Sequence, residues 1–202
     1  MDHSEYDIAY AARQLNRSRN VFRRLIKGFY LRNLLKDVQG AAIDFGCGAG
    51  QLLEKLPAGS IGLEVNPELV RILKSQGLSV QQYDPEHDQL RFNDLPGGPY
   101  KTFIMSHVLE HFENAEKGLA TILRSCRRIG VKRVIIVVPG KKGFAFDKTH
   151  RSFVTRDYLT SRNMQEHEGY RITRMSFFPL DIESVGTFFT FHELKIIYDI
   201  ID

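Results

Sequence analysis

The chain has 202 residues, the size of one domain with an extension, and is 43% hydrophobic and 26% charged with 16 Gly and 7 Pro, which excludes disordered, collagenous and fibrous proteins. The net charge of +4 permits an anionic partner without demanding one, and the basic excess is local, since Ala12 to Lys36 holds eight basic residues and no acidic one. Cys47 and Cys126 are too few for a disulfide framework or a structural zinc site, and no leader pattern or long apolar span is visible, so a cytoplasmic protein is expected.

Apolar residues from Val21 to Val38 follow helical spacing, which predicts a long amphipathic helix ended by Gly40. Short apolar runs then alternate with helical segments. Strands are expected at Ala41–Phe45, Ser60–Glu64, Leu78–Tyr83, Lys101–Ser106 and Val131–Val138, with helices at Leu52–Leu56 and from about Asn114 to Arg128. That rhythm predicts a parallel sheet covered on both faces. Tyr170–Phe178 and Phe189–Ile200 break it and read as an antiparallel strand pair.

The most informative stretch is Asp44-Phe45-Gly46-Cys47-Gly48-Ala49-Gly50-Gln51, a strand running into glycines. Glycine lets the backbone turn tightly and approach a ligand. Gln51 stands where the dinucleotide fingerprint needs its third glycine, and no Gly-Lys-Ser/Thr follows, so neither a nicotinamide site nor a P-loop fits well. Glu64 ends the second strand, where a carboxylate can accept hydrogen bonds from two ribose hydroxyls. Asp84 follows the third strand at the same edge.

These residues together resemble the class I S-adenosylmethionine-dependent methyltransferases of the small, uncapped type. The resemblance covers residues 40–202 and implies a Rossmann-like, doubly wound, seven-stranded α/β sheet, mostly parallel with an antiparallel C-terminal pair, preceded by a helical extension at 1–39. It implies S-adenosylmethionine contacts at Asp44, Gly46, Cys47, Gly48, Gly50, Glu64, Val65, Tyr83, Asp84, Ser106 and His107. The Cys47 thiol is expected to pack and not to act as a nucleophile, because no electropositive activator is evident in the loop. By the same resemblance Tyr6, Tyr10 and Arg13 would close over the cofactor or acceptor as a lid.

After the fourth strand stands Ser106-His107-Val108-Leu109-Glu110-His111, and a later loop holds Asp147-Lys148-Thr149-His150. Both elements are similar to segments of methyltransferases acting on small molecules, lipids or saccharides, which implies transfer to such an acceptor, at a hydroxyl. A hydroxyl needs a base near neutral pKa, and His107, His150 and His111 are the candidates. The motif is also similar to a Glu-x-x-Glu-His metal motif of small-RNA 2′-O-methyltransferases, with His107 in place of the first Glu. A divalent metal is not expected; its alternative ligand set is His107, Glu110, His111 and His150. Metal-dependent methylation of RNA and a non-catalytic cofactor-binding module are the competing functions.

Overall fold

A computed structural model describes residues 21–96 and 98–201, with side chains described from Gly28 onward. After helix α1 (Val21–Leu35) come β1 (Ala42–Phe45), β2 (Ile61–Glu64), α2 (Pro67–Ser75), β3 (Val80–Gln82), α3 (Pro85–Asp88), β4 (Thr102–Ser106), α4 (Ala115–Arg128) and β5 (Arg133–Pro139). Short helices α5 (Lys141–Phe146) and α6 (Arg156–Ser161) lead to β6 (Glu166–His167), β7 (Tyr170–Phe178) and β8 (Glu193–Ile200). The strands form one sheet in the order β3-β2-β1-β4-β5-β8-β7-β6, parallel through β5 and antiparallel thereafter.

The expected doubly wound sheet is present, with eight strands where seven were expected. The extra one, β6, is a two-residue hairpin arm, with His167 opposite Tyr170. Glu168 and Gly169 between them both have positive φ, the geometry of a tight two-residue hairpin turn. The helix expected at Leu52–Leu56 shrinks to a 3-10 turn at Leu53–Lys55. Pro57 explains this, because the residue before a proline is pushed to extended backbone, and Leu56 has ψ 154°. Strand β8 begins four residues later than expected, at Glu193.

Alternating residues of the central strands feed two cores. Ile43, Phe45, Phe103, Met105, Val134, Ile136 and Val138 pack with Leu119, Ile122 and Leu123 of α4, while Ala42, Ile104, Ile135 and Val137 pack with Tyr30, Leu31 and Leu34 of α1. Burial on both faces is why these strands read as continuous apolar runs. Helix α1 is therefore part of the layered body from Tyr30 onward. No helix among the described residues is long and apolar enough to cross a membrane.

A buried ion pair sits beside the second core. Lys195 of β8, 6% exposed, donates to Asp37 Oδ2 at 2.6 Å and to Asn33, and Arg174 also pairs with Asp37. Burial, with the cations of Arg174 and Lys36, pulls Lys195 down to about 8. Removing one member of such a pair leaves an uncompensated charge. Asp37→Ala should thus lose about 3–5 kcal/mol in urea unfolding, and Lys195→Met in the same background should recover most of it.

Candidate active site

Strand order reverses between β1 and β4, with β2 and β3 on one side and β5 on the other. Open α/β sheets bind ligands at this switch point, outside the strands' carboxyl ends. The glycine loop leaves β1 there, and Ser106-His107 leave β4 beside it. Gly46, Gly48 and Gly50 all have positive φ, between 54° and 74°. A Cβ on Gly46 would lie 2.6 Å from Val108 and one on Gly50 2.6 Å from Leu73, whereas one on Gly48 would meet nothing within 4 Å. The outer two glycines permit packing, and the middle one faces open space.

Glu64 holds this loop. Its Oε2 accepts the Gly48 N–H at 2.8 Å and its Oε1 the Asn66 N–H at 2.9 Å, with the residue only 5% exposed. Burial raises the carboxyl pKa, and those two N–H groups oppose the rise. Asn66 in turn caps α2, accepting from Glu68 and Leu69. Asp84 caps α3 with Oδ1. Tyr83 is turned into the core, edge-on to Phe45, and its hydroxyl accepts the Leu90 N–H. Cys47 is buried against Leu53, Val70, Leu73 and Val80, and burial pushes its thiol pKa far up, as its expected packing role requires.

The histidines divide into two kinds. His107 has φ 57° and lies between two carboxylates, Nε2 at 2.9 Å from Glu193 Oε1 and Nδ1 at 3.3 Å from Glu110 Oε1. Burial alone would lower its pKa, but Glu193 and Glu110 outweigh that and raise it to about 10. Both carboxylates favour its protonated form, which stands against the expected role of base. Tyr30 backs this turn, its hydroxyl 2.6 Å from Ser106 Oγ and its ring 6.4 Å from that of His107.

His111 and His150 are oriented differently, with ring centroids 4.9 Å apart. His150 Nδ1 donates to the Phe144 carbonyl at 2.9 Å, so in the neutral ring the lone pair is on Nε2, 3.8 Å from Glu110 Oε1. Thr149 gives its hydroxyl proton to Asp147, so His111 Nδ1 donates to Thr149 Oγ1 and its lone pair is also on Nε2. Burial holds His111 below the usual imidazole range. Glu110 is fully buried and neither carboxylate oxygen makes a hydrogen bond. Glu110, His111 and His150 each offer a ligand atom within 4.8 Å of the others, so three of the four alternative metal ligands come together, and a divalent ion fits that donor set. His107 is instead committed to its carboxylates.

Tyr6, Tyr10 and Arg13 lie outside the described residues. Glu193 and Tyr30 escaped the sequence reading. Glu193 is 86 positions from His107 and reaches it only because β8 pairs with β5, placing Glu193 opposite Pro139. Tyr30 lies inside the expected helix, but nothing in the spacing singled it out.

The chain belongs to the methyltransferase-domain family, whose model matches residues 17–174. It is an S-adenosylmethionine-dependent methyltransferase. A S-adenosylmethionine-dependent methyltransferase from Archaeoglobus fulgidus is similar with TM-score 0.65 and 20% identity, covering 96% of this chain and 100% of that one. Magnesium protoporphyrin IX methyltransferase from Synechocystis, solved with S-adenosylhomocysteine, gives TM-score 0.67 and 16% identity over 99% and 98%. A small RNA methyltransferase gives 0.57 and 14%, covering 89% of this chain but 25% of that one. Among curated proteins the sequence matches none.

Because His107 binds its proton more tightly folded (about 10) than unfolded (about 6.5), its contribution to stability is complete below about 6.5 and is lost as pH rises toward about 10. Urea unfolding across that window should show wild-type stability falling more steeply with pH than that of His107→Gln.

Proposed function

We propose that the chain methylates a hydroxyl of a small-molecule, lipid or saccharide acceptor at the β1/β4 switch point, with His150 as base. Bound S-adenosylmethionine supplies a methyl carbon made electrophilic by its sulfonium charge. In this reading the loop from Asp44 to Gly50 carries the methionine portion, Glu64 and Val65 meet the ribose, Asp84 the adenine, and Ser106 closes the floor. The open space over Gly48 supports that placement, and a carboxylate accepting backbone N–H groups at 2.8 and 2.9 Å is already aligned for hydroxyl donors.

One observation carries the base assignment: His150 is anchored through Nδ1 to a carbonyl, leaving Nε2 as the proton acceptor. The acceptor hydroxyl's proton passes to Nε2, and the Glu110 carboxylate stabilises the imidazolium that forms. His107 has a separate part. As a fixed cation between Glu110 and Glu193 it supplies the positive charge that two clustered carboxylates need, the role an ion would otherwise fill.

A second reading has one specific observation in its favour, the convergence of Glu110, His111 and His150. Those residues would hold a divalent cation, which would supply Lewis acidity to the acceptor oxygen. Manganese titrated into protein preloaded with S-adenosylhomocysteine decides between them. The metal-free reading expects no binding; stoichiometric binding lost in His111→Ala would replace it and make RNA ends the first acceptors to assay.

Glu64→Gln should weaken S-adenosylhomocysteine binding roughly 10- to 100-fold, the scale of one or two charge-assisted hydrogen bonds. His150→Ala should bind it as wild type yet lose about 10²- to 10⁴-fold in turnover on any acceptor found by screening. Full turnover in His150→Ala ends the base assignment.

A further inference from the structure

The loops and helix ends that enter the parallel strands lie at the amino edge of the sheet, opposite the switch point, and they differ in charge. Those entering β2 and β3, residues 56–60 and 76–79, carry none. Those entering β1, β4 and β5 bring Lys36, Lys101, Arg127, Arg128 and Lys132, all exposed. The Lys101 carbonyl accepts the N–H groups of Lys132 and Arg133 at 2.9 and 3.0 Å, and the Lys101 side chain lies 3.1 Å from where Gly40 would carry a Cβ. Arg127 lies against Gly169 of the β6–β7 turn, and Arg128 donates to the Arg91 carbonyl and to Asn93 Oδ1. Five cations therefore share the edge beneath the middle of the sheet.

The described carboxylates packed at this edge have other partners. Glu166 pairs with Arg171, Glu168 with Arg124, Asp199 with Arg133, and Asp37 with Lys195 and Arg174. Outside those pairs the edge has its five cations and Arg91, less Asp94 of the loop entering β4 and Asp202 of the sequence, an excess of four. Helix ends favour cations, which accounts for Lys36, Arg127 and Arg128. Lys101 and Lys132 stand before strands, where no helix end calls for charge.

We propose that this edge binds the phosphate backbone of a nucleic-acid duplex. Exposed Lys and Arg recognise phosphates whatever the base sequence, and cations without carboxylate partners are free to do so. Other polyanions fit less well. All five exposed large apolar side chains among the described residues, Phe29, Phe146, Leu180, Ile182 and Phe188, lie in other segments. The edge thus has no apolar anchor for a protein partner and no wedge for a lipid headgroup layer. Tyr100 and Tyr170 at this edge are buried, so unstacked bases find no platform, whereas a duplex keeps its bases stacked inside. A duplex held here is on the far side of the sheet from the glycine loop and His150. It anchors the enzyme and is not the methyl acceptor, so this binding goes beyond the hydroxyl reading and does not rest on it.

The test is fluorescence polarisation of a short labelled DNA duplex of mixed sequence, titrated with the full chain at several salt concentrations. The logarithm of affinity should fall against that of salt with a slope of about −4, close to one per unpaired cation. The paired variants Lys101→Ala/Lys132→Ala and Arg127→Ala/Arg128→Ala should each bring that slope nearer zero by about 2 and weaken binding at low salt at least about 10-fold. Titration with S-adenosylhomocysteine should stay at the wild-type value in both and show that they are folded. Arg23→Ala/Arg24→Ala, in the basic stretch of the sequence ahead of this edge, should bind the duplex as wild type does. A wild-type chain that binds S-adenosylhomocysteine but not the duplex overturns the proposal. So do edge variants that bind like wild type, and a loss confined to the Arg23→Ala/Arg24→Ala variant. Displacement of the duplex by phosphatidylglycerol vesicles or by polyglutamate at equal charge concentration also overturns it, and would give the edge to a lipid or a protein partner.

Discussion

The Glu64 carboxylate is the interaction on which the rest of the switch point depends. Its two oxygens take the N–H groups of Gly48 and Asn66, joining the turn after β1 to the turn after β2. Backbone N–H groups at turns and helix starts need partners once buried, and one side chain satisfies one from each turn. Asn66 then caps α2, whose Leu73 fills the space beneath Gly50. A single carboxylate thus sets the loop conformation, the start of a helix and the gap over Gly48.

The other half of the site obeys an electrostatic constraint. Glu110, fully buried, and Glu193, partly buried, are brought together from after β4 and from the start of β8, and an unpaired carboxylate at such a place is costly. A left-handed backbone at His107 places its ring between them, and they in turn favour its protonated form. His111 and His150 are held differently. Their Nδ1 atoms are occupied by Thr149 and by the Phe144 carbonyl, so the 144–150 loop orients both rings, His150 within it and His111 from outside it.

Helix α1 connects this chemistry to the body of the protein. Tyr30 touches the turn after β4, and one turn further along Leu34 is buried and Asn33 bonds Lys195. A polar clamp of Asp37, Lys195 and Arg174 beside the second core fixes where the helix lies along the sheet, because apolar contacts alone allow sliding and a buried ion pair does not.

The sequence by itself determined what depends on local backbone chemistry. Gly46, Gly48 and Gly50 marked a turn that needs left-handed residues, alternating apolar runs marked strands buried on both faces, and Glu64 at the end of β2 marked a carboxylate at the ligand edge. Tertiary structure decided which histidine lies between two carboxylates. Nothing near His107 in sequence announces Glu193, since the pairing of β8 with β5 closes a separation of 86 residues, and charge state follows from neighbours in space, not along the chain.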